Sequence, residues 1–215
     1  MSIAYRAGFV MFPPRPEGSV HPDDLLQYPG WWAQRKFNGT RTVIFIDPEG
    51  TATIKNRHKE DHRAYKLTGE MREAIRSLPL ERGTWHVLDG ELMHSKTKGL
   101  KDRIVVFDIL VHDGEYLVGT TVKDRFDLLF YAVGEPDTYE DETGSELALR
   151  VNDNLWLAEM FDSDLPDRFR ELNALDEIEG LVLKDPGGKM QPGVIEKNNT
   201  SWLIRCRKPH KNYQY

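Results

Sequence analysis

Short strand-like runs alternate with turn signals along most of the chain, and this alternation limits the fold more than any other feature. Runs 31–36 and 41–46 flank Asn38-Gly39, Asp47-Pro48-Glu49-Gly50 leads into TATIKN, and Asp113-Gly114 folds 115–118 back onto 103–112. Residues 84–93, 155–161, 180–184 and 201–207 read as further strands. Helical spacing is confined to a few stretches. Met71, Ala74, Ile75 and Leu78 mark a helix over 68–78 that Pro79 stops. Thr121-Val122-Lys123-Asp124 has the form of a capping box, with Phe126, Leu129, Phe130 and Val133 following on one face. Residues 164–172 are helical with Pro166 in the first turn, and 23–27 form a short helix. FPPRPEGSVHPDD (12–24) reads as loop, and 134–146 as an acidic exposed loop. The helices do not sit between strands as regular crossovers, so the expected class is α+β: antiparallel β-sheets flanked by helices.

A 215-residue chain with 39% hydrophobic and 10% aromatic residues has enough apolar material for a sizeable core. No signal peptide or membrane span is visible, and the single cysteine, Cys206, has no internal partner. A reducing, cytoplasmic setting is expected, in which the Asn38-Gly39-Thr40 sequon is silent. Net charge is −6, which taken alone argues against a nucleic-acid partner. Its distribution argues otherwise. Residues 35–76 carry ten Lys/Arg against six Asp/Glu, 134–180 carry three against fifteen, and 184–215 carry seven against two. A basic cleft with an acidic back fits that division.

Four constellations carry chemistry. Lys36 and Arg41 bracket a turn, Asp89-Gly90-Glu91 interrupts an apolar strand, Glu179 leads a second one ending at Lys184, and Arg205-Cys206-Arg207-Lys208 closes a third. Each alone has a structural reading as a hairpin corner, bulge or solvated edge. Together they suit transfer of a nucleoside monophosphate: an amine attacks an α-phosphate, carboxylates hold a divalent metal, and cations offset the developing charge. The amine must first be neutral. Only about one ordinary lysine in 2,500 is so at pH 7, a cost of ~4.6 kcal/mol. Neighbouring cations (Arg35, Arg41, a metal) and desolvation by Trp32 and Phe37 are expected to reduce it. His58 and His62, four apart, lack a third ligand and the H-E-x-x-H arrangement, so zinc is not expected.

The ordered set KFNGTR (36–41), LDGELM (88–93), VVFDIL (105–110), EGLVLK (179–184) and WLIRCRKP (202–209) resembles the covalent nucleotidyltransferases, and among them the ATP-dependent DNA ligases. RNA ligases and mRNA-capping enzymes are relatives. The match spans about 30–209, and the run from Phe107 to Leu129 is the most ligase-like part. The resemblance implies a single nucleotidyltransferase (adenylation) domain over 1–215, ATP and Mg2+ (or Mn2+) as cofactors, and nicked duplex DNA, or RNA, as partner. It implies that Lys36 becomes lysyl-AMP, Gln34 stands where many ligases place an adenine-contacting Glu, and Arg41 meets the ribose or phosphates. Arg57 would grip the nucleotide or the nick 5′-phosphate, Glu91 the ribose or metal, and Glu179 the metal. Phe107 would stack on the purine, and Lys184, Arg205 and Arg207 would line the phosphates.

Departures are Asn38 where the family has Asp, Arg205-x-Arg207 for Lys-x-Lys, and only six residues after Pro209, where relatives continue into an OB-fold domain. The expectation is therefore a domain without an OB-fold, monomeric, with any OB-type or clamp partner separate. An RNA ligase, a capping guanylyltransferase and a non-catalytic nucleotide or nucleic-acid binding module are the alternatives.

Overall fold

The computed structural model describes residues 3–94, 96, 100–134, 136–140, 146–172 and 175–209. In chain order the strands are β1 (Ile3–Ala4), β2 (Arg15–Val20), β3 (Trp32–Phe37), β4 (Thr40–Ile46), β5 (Ala52–Asn56), β6 (His86–Met93), β7 (Arg103–His112), β8 (Glu115–Tyr116), β9 (Asp137–Glu140), β10 (Glu146–Arg150), β11 (Leu155–Leu157), β12 (Met160–Phe161), β13 (Ile178–Lys184) and β14 (Asn199–Arg207). The helices are α1 (Gly69–Arg76), α2 (Val122–Ala132) and α3 (Leu165–Glu171), with a 3-10 turn over Pro22–Gln27. Among the described residues the strands form two sheets, nine-stranded with path β5-β4-β6-β7-β11-β10-β9 and five-stranded in the order β12-β3-β13-β14-β2. The class is α+β. Two parallel pairings, β11 with β7 and β14 with β2, join the otherwise antiparallel ladders.

Local signals account for most elements. Thr68 accepts from Met71 N–H at 3.2 Å to start α1, which buries Met71 and Ile75. Thr121 and Asp124 cap α2 reciprocally. Asp113 and Gly114 both adopt positive φ, as a tight hairpin between β7 and β8 requires. β7 is largely a run of buried Val, Leu and Ile broken by Phe107 and Asp108, and β6 is buried almost throughout although Asp89, Gly90 and Glu91 interrupt its apolar residues. On one face Ile44, Leu88 and Ile109 pack in a cluster with Met71 and Ile75 of α1 and Leu129 of α2. The other main cluster joins Val105 and Trp156 of the large sheet to Ala33, Leu181 and Leu183 of the small sheet and Phe169 of α3.

Asn38-Gly39 does not close a hairpin. β3 pairs with β12 and β13, whereas β4 pairs with β5 and β6, so the dipeptide carries the chain from one sheet to the other. Neither residue has positive φ, which a two-residue type I′ loop requires. Gly39 is needed for proximity instead: a Cβ there would lie 2.6 Å from the Leu92 carbonyl and 2.7 Å from Glu91 Cγ. The single strand expected over 155–161 also divides. β11 joins the large sheet and β12 the small one, with Ala158-Glu159 as the crossing. Residues 15–20, expected as loop, form edge strand β2, whose Pro16 donates nothing to the ladder. Residues 137–140 and 146 onward, expected as acidic loop, pair as β9 and β10. Residues 135 and 141–145 of that loop lie outside the described residues.

Candidate active site

The small sheet has two unlike faces because side chains alternate along each strand. Register places Lys36 opposite Gly180, Gln34 opposite Val182, and Arg205 opposite Val182 from the other side. Gln34, Lys36, Lys184, Arg205 and Arg207 therefore share the face turned toward the large sheet. Ala33, Leu181, Leu183 and Cys206 share the opposite, buried face. The large sheet answers with Arg41, directly opposite Glu91, and with Phe107 and Asp108. Between the sheets lies a cleft of about 550 Å3 lined by Lys36, Gln34, Arg41, Arg57, Glu91, Phe107, Glu179, Lys184, Arg205 and Arg207. All ten residues singled out in the sequence thus reach one cavity, of a size usual for small-molecule sites.

Lys36 Nζ donates to Glu179 Oε2 at 2.5 Å, across 143 residues of sequence. Arg207 Nε stands 3.7 Å from the same oxygen. Glu179 sits at an irregularity in the β13–β3 ladder, next to Gly180. The partner of the lysine is thus an acid, where cations were expected. Arg35 points to the other face and pairs with Glu159 at 3.0 Å. Arg41 is held by both oxygens of the fully buried Asp89, with Nε to Oδ1 at 3.0 Å, and its guanidinium lies 5.1 Å from the Phe107 ring centroid. The contact with Glu179 occupies the amine, which must leave that oxygen to reach any other atom in the cleft.

Glu91 faces this pair from the large sheet. Burial lifts its carboxyl to about 7, which Lys36 and Arg41 partly offset and Glu179 reinforces. Two carboxylates that repel across a cleft suit a hard divalent cation with oxygen ligands. Glu91 and Glu179 are the residues that would hold it, and it would supply positive charge against both carboxylates and a bound phosphate.

Lys184 lies on the cleft floor and donates to the Phe107 carbonyl at 3.0 Å. Burial pushes its ammonium down to about 8; Asp108 and Asp89 pull it up, and Arg125 and Arg41 push it down. Gln34 is buried and its amide donates to the Ala158 carbonyl at 2.9 Å. Arg57 is exposed at the rim, its Nε on His58 Nε2 at 3.0 Å. Arg205 donates to the Gly18 carbonyl at 3.4 Å, and burial, with Arg207 and Arg15, holds its guanidinium below the ordinary arginine value.

Sequence reasoning assigned no role to Arg15, Lys96, Asp108 or Arg125. Arg15 lines the cleft from β2, which Pro-rich composition had disguised as loop. Lys96 donates to the Gly39 carbonyl. Arg125 carried one legible signal, an arginine within the buried stripe Val122, Leu129 and Ala132 of a helix. His58 and His62 do not meet: His62 contacts Thr42 Oγ1 at 3.1 Å and His58 turns toward Glu196. Among the described residues His86, His112 and Asp113 do cluster. His86, however, accepts from Asp113 N–H at Nδ1 and donates from Nε2 to the Glu81 carbonyl, which leaves neither nitrogen free.

No protein-family model matches the sequence, and no curated protein is significantly similar to it. Solved structures are similar in fold. Mycobacterial DNA ligase D complexed with ATP and MES superposes with a TM-score of 0.57 at 19% identity, over 92% of this chain and 60% of that one. The ligase domain from M. tuberculosis LigD gives 0.60 at 18% identity, over 90% and 59%. A structure from a structure-function study of Lig E DNA ligases gives 0.54 at 14%, over 91% and 69%. The chain spans about three-fifths of the first two. Its fold is that of the nucleotidyltransferase domain of ATP-dependent DNA ligases. Among the described residues no helix is long and apolar enough to cross a membrane.

Proposed function

We propose that this chain is an ATP-dependent polynucleotide ligase that seals 5′-phosphate/3′-hydroxyl nicks in duplex DNA through a lysyl-AMP intermediate. The observation that carries the reading is the Lys36–Glu179 contact of 2.5 Å within a cleft that also holds Glu91, Phe107 and Lys184. One nucleophile, two carboxylates, an aromatic platform and phosphate-facing cations are the parts that nucleotidyl transfer needs.

In the first step Lys36, having lost its proton, attacks the α-phosphorus of ATP. A P–N bond forms, the bond to the bridging oxygen breaks, and pyrophosphate leaves with that electron pair. Phe107 stacks on the base, Gln34 meets its edge, and Lys184, Arg205 and Arg207 face the phosphates. In the second step an oxygen of a nick 5′-phosphate attacks the same phosphorus and the P–N bond breaks, returning Lys36. The neighbouring 3′-hydroxyl then displaces AMP and closes the backbone. Arg57, exposed at the rim, is placed to meet the 5′-phosphate.

Incubation with α-labelled ATP and Mg2+ tests the first step. Acid-labile label on Lys36, released by pyrophosphate, is expected. Reversible binding without an adduct would leave a non-catalytic module. Label from GTP alone would point to capping chemistry, and preference for nicked RNA to an RNA ligase.

A further inference from the structure

Arg125 lies on α2, does not line the cleft, and is 1% exposed. Its Nε and Nη2 donate to the two oxygens of Asp108 at 2.8 and 3.1 Å, and Nη1 donates to the Thr120 carbonyl at 2.7 Å. The guanidinium also lies 5.3 Å from the ring centroid of Trp202. A buried arginine so fully engaged has a cost in desolvation, which a stable helix of Val and Leu would not need.

What Asp108 does explains the arrangement. The β6–β7 register shifts here: Asp89 opposes Asp108 while Gly90 opposes Val106, so Phe107 is the extra residue of a bulge. A bulge residue is left unpaired and its side chain is re-aimed. The Phe107 carbonyl is the acceptor for Lys184, and its ring lies within 5.6 Å of the Lys184 ammonium. Asp108 also accepts from Ile109 N–H at 2.9 Å, which ties its carboxylate to the paired residue that follows the bulge. An unbroken chain of contacts therefore runs from α2 through Asp108 to the aromatic platform and the floor lysine.

We infer that Arg125 is a positioning residue for the nucleotide, which clamps Asp108 and so holds the β7 bulge that aims the Phe107 ring and the Lys184 ammonium into the cleft. This inference rests on the reading of the cleft as a nucleotide site. A lysine at 125 retains charge but loses the two-pronged grip on Asp108.

The test is a double-mutant cycle on ATP-dependent labelling of Lys36. Arg125→Lys should raise KM for ATP about five- to tenfold with kcat within about twofold, because ground-state positioning is lost rather than a transition-state contact. Asp108→Asn should do the same if Arg125→Lys folds poorly. The discriminating readout is Phe107→Ala: in that background Arg125→Lys should raise KM by less than it does in the wild type, because part of its effect runs through the missing ring. Additive effects, or an activity loss that merely follows the unfolded fraction, would overturn the inference while leaving the nucleotide reading intact. A wild-type chain that binds no ATP and takes no label would overturn both.

Discussion

Gly180→Ala examines how tightly the geometry around Lys36 is held. Gly180 has φ +146°, a conformation open to glycine and strained for other residues. An added Cβ would overlap the Cys206 carbonyl and lie 2.8 Å from Arg207 Cα, whereas ordinary contact begins near 3.4 Å. β14 must therefore yield by more than an ångström beside Arg207, the residue that pairs with Gly180 on the side away from Lys36. The backbone conformation costs about 1–3 kcal/mol. The overpacked contact adds about 1–3 kcal/mol. At a central 4 kcal/mol the melting temperature of a chain this long falls by roughly 8–16 °C. Glu179 adjoins the strained residue, and displacing reacting groups by 1 Å can cost on the order of 100-fold in rate. Self-adenylation of the folded variant, measured as single-turnover labelling well below its melting point, should fall roughly 10- to 100-fold. Gly187→Ala is the control. Its Cβ would meet only Asp185 Oδ1, at 3.4 Å, and both quantities should stay near wild type. A Gly180→Ala protein that melts within 2 °C of wild type and labels at the same rate would refute this account of Glu179's placement.

Three further predictions follow from the same cleft. Lys36→Ala should abolish label from α-labelled ATP while shifting the melting temperature by only a few degrees, since its ion pair is partly exposed; persistent label would place the nucleophile elsewhere. Asp89→Ala should cost about 3–5 kcal/mol in urea denaturation, because it leaves the Arg41 guanidinium without its two-oxygen partner; a loss below 1 kcal/mol would mean that the pair is idle. Lys184 is pushed down to about 8 from 10.5, so between those values the unfolded chain holds a proton the folded one has released. Its contribution to stability should rise with pH across that window and be lost as pH falls through 8, whereas ATP capture should weaken above pH 8 as the cation disappears. Lys184→Met should flatten both profiles, and a pH slope of stability unchanged in that variant would assign it to other groups.

Local elements were legible because their causes are local. The α2 cap depends on Thr121 and Asp124 alone, and the β7–β8 turn on Asp113-Gly114. Where expectation and structure part, a long-range partner decided. Pro16 is compatible with β2 because β2 is an edge. The 155–161 run looks like one strand because it is apolar throughout, yet it serves two sheets. Asn38-Gly39 has the composition of a hairpin, but β6 passes too close for any side chain at position 39, and the flanking strands find different neighbours.

The sequence by itself determined the inventory: which residues can attack, bind metal, stack or carry positive charge, and in what order they occur. It determined the class as well, since strand-length runs with few helices leave little choice. Only the tertiary structure decided which of these side chains meet. Lys36 and Glu179 are 143 residues apart, and Arg125 reaches Asp108 from a helix outside the cleft. Strand register and the crossing between sheets place them, and these are set by burying apolar surface over the whole chain. No window of neighbouring residues carries that condition.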